Sequence, residues 1–459
     1  MKALRVALCL WAGGALCGVV HAQAAANPPA AVHPPALPDP YALMDSAMTA
    51  PSLPGPALTL EEAERIALTA NPDIAVAARR LAVAQAHLPI AGALDDPEAM
   101  YRGWGVPLEK PWDFNAAQNM FSLSQTLPGG NRRALRTNVA ASDVDEAKAN
   151  LAAVRLNVEV RVCKAFYDLL LVQDELRIHA DHVGLARQTI EAARIKYAVG
   201  NVPQQDLLKA EVALTALSAH MIRFSREEGV ARARLNALLD RDPAAPLLVE
   251  GKHAVLEPLP SEERMESAAL GSRPDLVAAQ AAVERSRREQ ALAKKAYAPD
   301  FTVSGGYMLM PAGQAMRNSY MVEGSMNLPW LNHRKHNAEI AEATARAGEQ
   351  ETELAALRNT AREQIGEALV EAQAAQRLAL FYHDQLRPQA EATLQSSVIA
   401  YQNNQTSFLN LLDSQMAVID IDVDWIQAVG DFDERMADLE LATGIPLDKL
   451  QPVQPEVKP

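Results

Sequence analysis

From Leu151 onward, apolar side chains return at Val154, Val158, Val162, Phe166, Leu169, Val172 and Leu176, in steps of three and four residues. That is the period of an α-helix buried along one stripe, close to a coiled-coil seam. No proline interrupts 131–200, so the pattern predicts a helix of roughly 65 residues, about 100 Å long at 1.5 Å per residue. Elsewhere the period is two. Phe301, Val303, Tyr307 and Leu309 alternate with Thr302, Ser304, Gly306 and Met308, and Tyr320, Val322, Met326 and Leu328 alternate with Met321, Glu323, Ser325 and Asn327. Phe121, Leu123 and Leu127 alternate with Ser122, Ser124 and Thr126, and a weaker segment lies near 98–106. Alternation over about eight to ten residues marks a strand with one apolar and one polar face, found in membrane barrels and in soluble hairpins alike. Tyr101, Trp104, Trp112, Tyr307, Tyr320 and Trp330 in or beside these segments favour the membrane reading, because aromatic rings collect at the membrane interface.

The whole pattern occurs twice. Asn71-Pro72-Asp73-Ile74 returns as Arg273-Pro274-Asp275-Leu276 at an offset of 202. Leu127-Pro128 with Asn131 returns as Leu328-Pro329 with Asn332 at an offset of 201. Ile195, Tyr197, Leu207 and Leu208 return as Ile399, Tyr401, Leu411 and Leu412 at an offset of 204. Anchors in one order at nearly one spacing define a duplicated unit. The first copy spans 57–250, with strands near 98–106 and 118–127 and a hairpin over 131–240. The second spans 251–450, with strands near 300–310 and 319–328 and a hairpin over 332–443. Each opens with a short helix (59–70, 261–271) closed by the Pro-Asp corner, followed by a second helix to about Ala91 or Ala296. Gly184 and Pro388 stand at matching heights as potential bends in the long helices.

Ahead of the copies, 1–22 reads as an export signal: Lys2 and Arg5, an apolar run over 7–20, and Val20-His21-Ala22 as a small-residue cleavage site. A lipidated signal would instead end at Cys17, although Leu16 stands where a small residue is wanted. Residues 23–56 hold nine prolines, which suits an extended arm and neither helix nor central strand. A tail covers 451–459. Loss of the signal leaves Cys163 as the lone cysteine, so the exported chain has no internal disulfide. The formal charge of −14 becomes more negative without Lys2 and Arg5. That balance excludes nucleic acid and anionic lipid as natural partners, and fits a solvated surface or a cation-favouring channel equally. Only 5% of residues are aromatic, which suits long, closely packed helices. Past the signal no apolar run reaches 18 residues, so any membrane crossing is by a closed barrel. Four strands are too few for one, since small barrels need about eight; a barrel therefore requires several chains.

The strand-to-helix run Ser124-Gln125-Thr126-Leu127-Pro128-Gly129-Gly130-Asn131-Arg132 carries a resemblance to a known family. So do the tip segments Tyr197-Ala198-Val199-Gly200-Asn201 to Asp206-Leu207-Leu208 and Tyr401-Gln402-Asn403-Asn404-Gln405 to Leu411-Leu412-Asp413. Over about 57–447 the chain resembles the TolC-type outer-membrane efflux proteins, in strand region nearest the heavy-metal branch. The resemblance implies a mainly α fold with a small β part. Duplicated helical hairpins of three chains form an α-barrel tunnel in the periplasm, and four strands per chain form a 12-stranded outer-membrane barrel. It implies a homotrimeric, passive exit duct serving a periplasmic adaptor and an inner-membrane pump. No nucleophile-base pairing, phosphate loop or closed metal spacing occurs in the sequence, which reads as non-enzymatic and without a cofactor. It also implies a periplasmic gate near Tyr401, Asp413, Asp206 and Tyr197. The tip turns, Gly200, Asn201, Val202 and Pro203 in one copy and Asn404, Gln405, Thr406 and Ser407 in the other, become partner contacts. This chain departs from the family at Asn410, Asn404 and Thr406, where a second aspartate, a turn glycine and a gating arginine can occur.

Each candidate residue has a plainer reading beside the functional one. Asp206 and Asp413 are either carboxylate rings in a trimer, attracting cations, or solvated helix carboxylates. Tyr197 and Tyr401 are gate residues or helix-packing residues. His179 with His182, and His333 with His336, have a spacing that suits a metal and equally suits a solvated helix face. Met308, Met310, Met316, Met321 and Met326 crowd the second strand pair: thioethers suit Cu(I) or Ag(I), and methionines also pack against lipid or within loops. The exported substrate is metal cations or drug-like organic compounds. A periplasmic coiled-coil adaptor or a soluble structural helical protein are the rivals from other classes; the first lacks its compact β-domains here, and the second has no need of alternating strand pairs.

Overall fold

The computed structural model describes residues 57–200, 202–311, 313 and 318–447. The signal, the proline-rich arm, the tail and Asn201 lie outside the described residues. Helix α1 (Leu60–Ala70) starts at Thr59, whose hydroxyl accepts from the Glu62 amide while the Glu62 carboxylate accepts from the Thr59 amide. This reciprocal cap satisfies two donors that a helix start otherwise leaves open. At the Pro-Asp corner, Asn71 caps α2 (Pro72–Gly92) by accepting from the Asp73 amide at 2.9 Å.

The second copy turns the same corner with the same backbone and different side chains. Asn71 (φ −61, ψ 126) and Arg273 (φ −62, ψ 119) both precede a proline at the first helical position of α2 and α6 (Pro274–Ala293). The extended conformation is the one a residue before proline prefers. Asn71 Nδ2 donates to the Leu238 carbonyl at 3.0 Å, and the Arg273 guanidinium to the Ala442 carbonyl at 3.1 Å. Each corner is thereby tied to the C-terminal end of its own copy's return helix, α4 (Gln204–Leu238) or α9 (Phe408–Thr443). Arg273 also pairs with Asp275 and donates to Gln364. Helix α5 (Glu262–Ser272) buries Met265 and Ala269 much as α1 buries Ala63 and Ala67.

Strands β1 (Glu98–Trp104), β2 (Gln118–Leu127), β3 (Phe301–Leu309) and β4 (Asn318–Met326) form one antiparallel sheet in chain order. The copies meet at β2–β3, from Asn119 opposite Leu309 to Leu127 opposite Phe301. Partner residues share a face, so the register sorts the sheet. One face carries Tyr101, Phe121, Tyr307 and Tyr320 in a row, then Leu123 and Val322, then Gln125 and Val303, then Leu127, Phe301 and Met326. Tyr320 and Val322 are 88% and 86% exposed. The opposite face carries Glu98, Ser124, Ser304 and Glu323 in one row and Thr126, Thr302 and Ser325 in the next.

Sheet and helices join at a corner that only glycine permits. A Cβ on Gly129 would collide with the Pro299 carbonyl, and Gly130 adopts φ 65 with Asn131 at φ 60 behind it. Asp300 closes the corner by accepting from the Gly129 amide at 3.0 Å and pairing with Arg132. Helix α3 (Arg132–Ala198) then runs 67 residues without a break, so Gly184 does not interrupt it. In the second copy a 3-10 turn (Pro329–Asn332) leads into α7 (His333–Phe381), a π turn (Tyr382–Leu386) and α8 (Arg387–Gln402). Pro388 has no amide hydrogen for the preceding turn, and the widened π turn absorbs the mismatch. Among the described residues no helix is long and apolar enough to cross a membrane.

Small residues fill the core: Ala63, Ala67, Ala165 and Ala231 pack with Phe166, Leu169 and Leu235 in one copy, and Ala269, Ala368 and Ala442 with Ile365 and Leu439 in the other. Cys163 is buried, and burial first, then nearby carboxylates, push its thiol up to about 12. The linker between copies is pinned by His253, whose Nδ1 lies 2.5 Å from Asp433 of α9 and Nε2 3.0 Å from Asp174 of α3. Asp433, fully buried, also accepts from the Ala254 amide at 2.7 Å. Burial alone would lower the imidazole's pKa, but the two aspartates outweigh it and push it up to about 9.

A group raised on folding stabilises fully below its ordinary value and ceases to do so as pH climbs past its folded one. The aspartate–histidine clamp is therefore complete below about pH 6.5 and lost through about pH 9. His253→Gln leaves Asp433 buried beside a neutral amide, at an expected cost of about 3–5 kcal/mol. Thermal unfolding of the detergent-solubilised protein by circular dichroism checks this. The variant melts lower at neutral pH, and the gap to the unsubstituted protein narrows as pH approaches 10, roughly one unit past the folded value. A constant gap would remove the charged clamp.

Candidate tip gate and conduit wall

The two tip turns solve one geometric problem with different residues. After α3, the Val199 and Gly200 amides donate to the Ile195 and Tyr197 carbonyls; after α8, the Asn403 and Asn404 amides donate to those of Ile399 and Tyr401. Gly200 has φ 75 and Asn404 φ 56. Asparagine tolerates this left-handed position better than most side chains, which explains how Asn404 stands where the first copy has glycine. The next helices start differently. Pro203 precedes α4 without a side-chain cap, while the Ser407 hydroxyl accepts from the Asn410 amide to cap α9, and the Asn410 amide group donates to Thr406 Oγ1 at 3.0 Å. Asn410 and Thr406 thus hold each other.

The expected gate residues separate into two groups. Tyr401 is only 7% exposed, turned inward with its ring edge-on to Phe408 at 5.7 Å. Above it lies Lys196 from the other hairpin: its Nζ stands 3.8 Å from the ring centroid and donates to the Tyr401 carbonyl at 3.0 Å and Asn404 Oδ1 at 3.4 Å. Burial first, and then the charge of Asp206, raise the Tyr401 hydroxyl's pKa. One hairpin therefore brings a cation and a carboxylate to bear on one tyrosine of the other. Asp413 and Tyr197 are exposed and stand outside this cluster. Gly200, Pro203, Asn404, Gln405 and Ser407 are exposed, and Val202 and Thr406 half-buried.

Lys196 is the residue that sequence reading missed. Its counterpart at the offset of 204 is Ala400, just as Asp206 stands opposite Asn410 and Asp413 opposite Lys209, so a comparison of the two copies singles it out.

Farther along the hairpins, Asp422 of α9 joins both copies, with His182 Nε2 at 3.2 Å and Arg387 Nε at 3.0 Å. His179 is buried with Nδ1 on the Glu175 carbonyl at 3.1 Å, and His336 pairs with Glu339 at 2.9 Å. Among the described residues no three His, Cys, Asp or Glu side chains gather as a metal ligand set. Several carboxyls in the helical body stay protonated more readily than usual. Burial, then Glu159, Glu440 and Glu61, push Glu64 up to about 7, and burial, then Asp168, does the same to Glu434. The wall is thus less negative at neutral pH than its formal charge suggests.

The outer membrane efflux protein family model matches residues 65–241 and again 266–445, once per copy, and the chain belongs to that family. It is 23% identical over 375 residues to the cobalt-zinc-cadmium resistance protein CzcC of Cupriavidus metallidurans, covering 81% of this chain and 87% of that one. Its fold matches the outer membrane protein VceC of Vibrio cholerae (TM-score 0.71, 18% identity, 84% of this chain and 96% of that one). It also matches CusC, solved for its folding and transmembrane channel formation (TM-score 0.72, 16% identity, 84% and 92%). The protein is an outer-membrane efflux channel with a periplasmic helical tunnel; a membrane barrel turns an apolar sheet face to lipid and a polar one to its lumen.

Lys196→Ala removes the cation from the Tyr401 ring and the bonds to the neighbouring turn, weakening the tie between hairpins by about 1 kcal/mol, roughly fivefold in its equilibrium. Spin labels at the exposed positions Ile195 and Gln402 should report a longer, broader distance distribution in this variant. Lys196→Arg should keep the original one, and identical distributions in all three would sink the tie.

Proposed function

We propose that the chain is a homotrimeric, passive exit duct that carries heavy-metal cations from a periplasmic adaptor and inner-membrane pump to the outside. The observation that carries the oligomer is the open sheet. Strands β1 and β4 each pair on one side only, and in hydrocarbon an unpaired strand edge costs several kcal/mol per group. Edges of neighbouring chains pairing with each other remove that cost, and three copies supply twelve strands. The pump supplies the energy, and this chain supplies wall, gate and docking turns, with no chemistry of its own.

At the tip, Lys196, Tyr401 and Asp206 form the latch that holds one hairpin to the other, and opening requires the lysine to leave the ring. Asp206 and Asp413 add like charges in threes near the axis, which favour cations. The tip segments Gly200, Asn201, Val202 and Pro203 and Asn404, Gln405, Thr406 and Ser407 are the docking points for the adaptor. The metal reading draws support from the relation to CzcC, whose name gives cobalt, zinc and cadmium resistance.

Two measurements test these roles. In planar bilayers, Asp206→Ala with Asp413→Ala should lower the cation-to-anion permeability ratio; an unchanged ratio removes both from the constriction. In a deletion strain, restored export of metal cations, monovalent or divalent, with no change in dye or drug export supports the metal duct, and the reverse makes it a duct for organic compounds.

A further inference from the structure

The register places a band of thioethers on the lumenal face of the sheet. Arg102, Met120, Met308 and Ser319 are partners across β1 to β4, and Met100, Ser122, Gly306 and Met321 form the adjacent row on the same face. Met120 and Met308 are thus a direct cross-strand pair. Met100 and Met321 flank them diagonally, about 7–8 Å away between Cα atoms and within reach of flexible side chains. Every strand contributes one methionine to this face.

Polar side chains reach two of these sulfurs. Gln118 Nε2 donates to the Met308 sulfur at 2.7 Å, and an Arg102 Nη to the Met100 sulfur at 3.5 Å. Met326, by contrast, shares the apolar face with Leu127 and Phe301. A barrel lumen is polar by default and its wall gains nothing from apolar packing, so the lipid explanation for these four side chains fails. The next row toward the helices is Glu98, Ser124, Ser304 and Glu323. An outbound cation meets carboxylates first and thioethers second. Thioether sulfur is a soft donor that holds Cu(I) and Ag(I) and discriminates against Co(II) and Zn(II), which prefer nitrogen, oxygen or thiolate.

We propose that Met100, Met120, Met308 and Met321 form a binding band for soft monovalent cations, Cu(I) or Ag(I), on the inner wall of the barrel. The proposal rests on the duct reading above, which sets the polar face toward the lumen. The donor on the Met308 sulfur is the neutral Gln118 amide and that on Met100 is the charged Arg102 guanidinium at 3.5 Å, which must swing away for an ion to bind there; several thioethers per chain allow the ion to pass between sites.

The test uses the full-length mature protein in detergent, titrated with silver nitrate in chloride-free buffer, and the same protein in planar bilayers. Silver should bind with sulfur in its X-ray absorption shell and reversibly reduce the potassium current. Met120→Leu with Met308→Leu, which keeps apolar volume and removes two sulfurs, should weaken silver binding about tenfold. Met100→Leu with Met321→Leu should also weaken it, and Met326→Leu on the lipid face should leave it unchanged. Should one double variant fail to form trimers, the other carries the test. A conducting pore whose silver affinity and block survive both double variants overturns the band. A well-folded protein that forms no pore overturns the duct reading instead.

Discussion

A strand edge in hydrocarbon can bond to nothing except another strand, and this constraint governs the chain. The duplicated unit supplies two strands per copy, and the copies join at β2–β3 into a sheet that is still open at both ends. Its outward rows of Tyr, Phe, Leu and Val would be unstable in water and its two edges unstable in lipid. Lipid against the apolar rows answers the first, and the proposed closure among identical chains answers the second. The long hairpins follow from the same closure: each strand pair leads to its own hairpin through a corner such as that of Gly129, Asp300 and Arg132, so a ring of strands is continued by a ring of helices.

Below the sheet, the duplication preserves geometry and spends its freedom on side chains. Asn71 and Arg273 hold the same backbone angles and the same tie to a return helix, yet one does so with an amide and the other with a guanidinium that also engages Asp275 and Gln364. At the tip the hydrogen-bonding frame of the turns is likewise repeated, while Lys196 against Ala400 and Asp206 against Asn410 set different charges at equal heights. Scaffold positions are constrained twice over, whereas tip positions each answer to the neighbouring hairpin.

Much of this was legible in the sequence because it is local. The corners are proline motifs with one allowed backbone, the long helix is a stripe of period 3.6, and the strand faces are a parity of two. Residues that depend on long-range approach were not legible. Lys196 and Tyr401 are 205 positions apart, and knowing a residue's height on a helix says nothing of its azimuth, which turns by about 100° per residue. The sequence places Tyr401 beside a turn but leaves its orientation open, and the structure turns it into the seam. The methionines show the same limit: parity suggested a side for Met308 and Met321, but the pairing of Met120 with Met308 needed the register between copies.

The π turn at Tyr382–Leu386 makes the two staves of each chain mechanically unequal. None of its five residues is buried, so little packing resists local unwinding there, whereas α3 crosses the corresponding height as one uninterrupted rod. One stave is a strut and the other is jointed. In the ring of three chains proposed above, rods and joints would alternate around the axis. Any iris-like motion of the tube is then carried by every second stave, and its symmetry is threefold even where the wall looks sixfold.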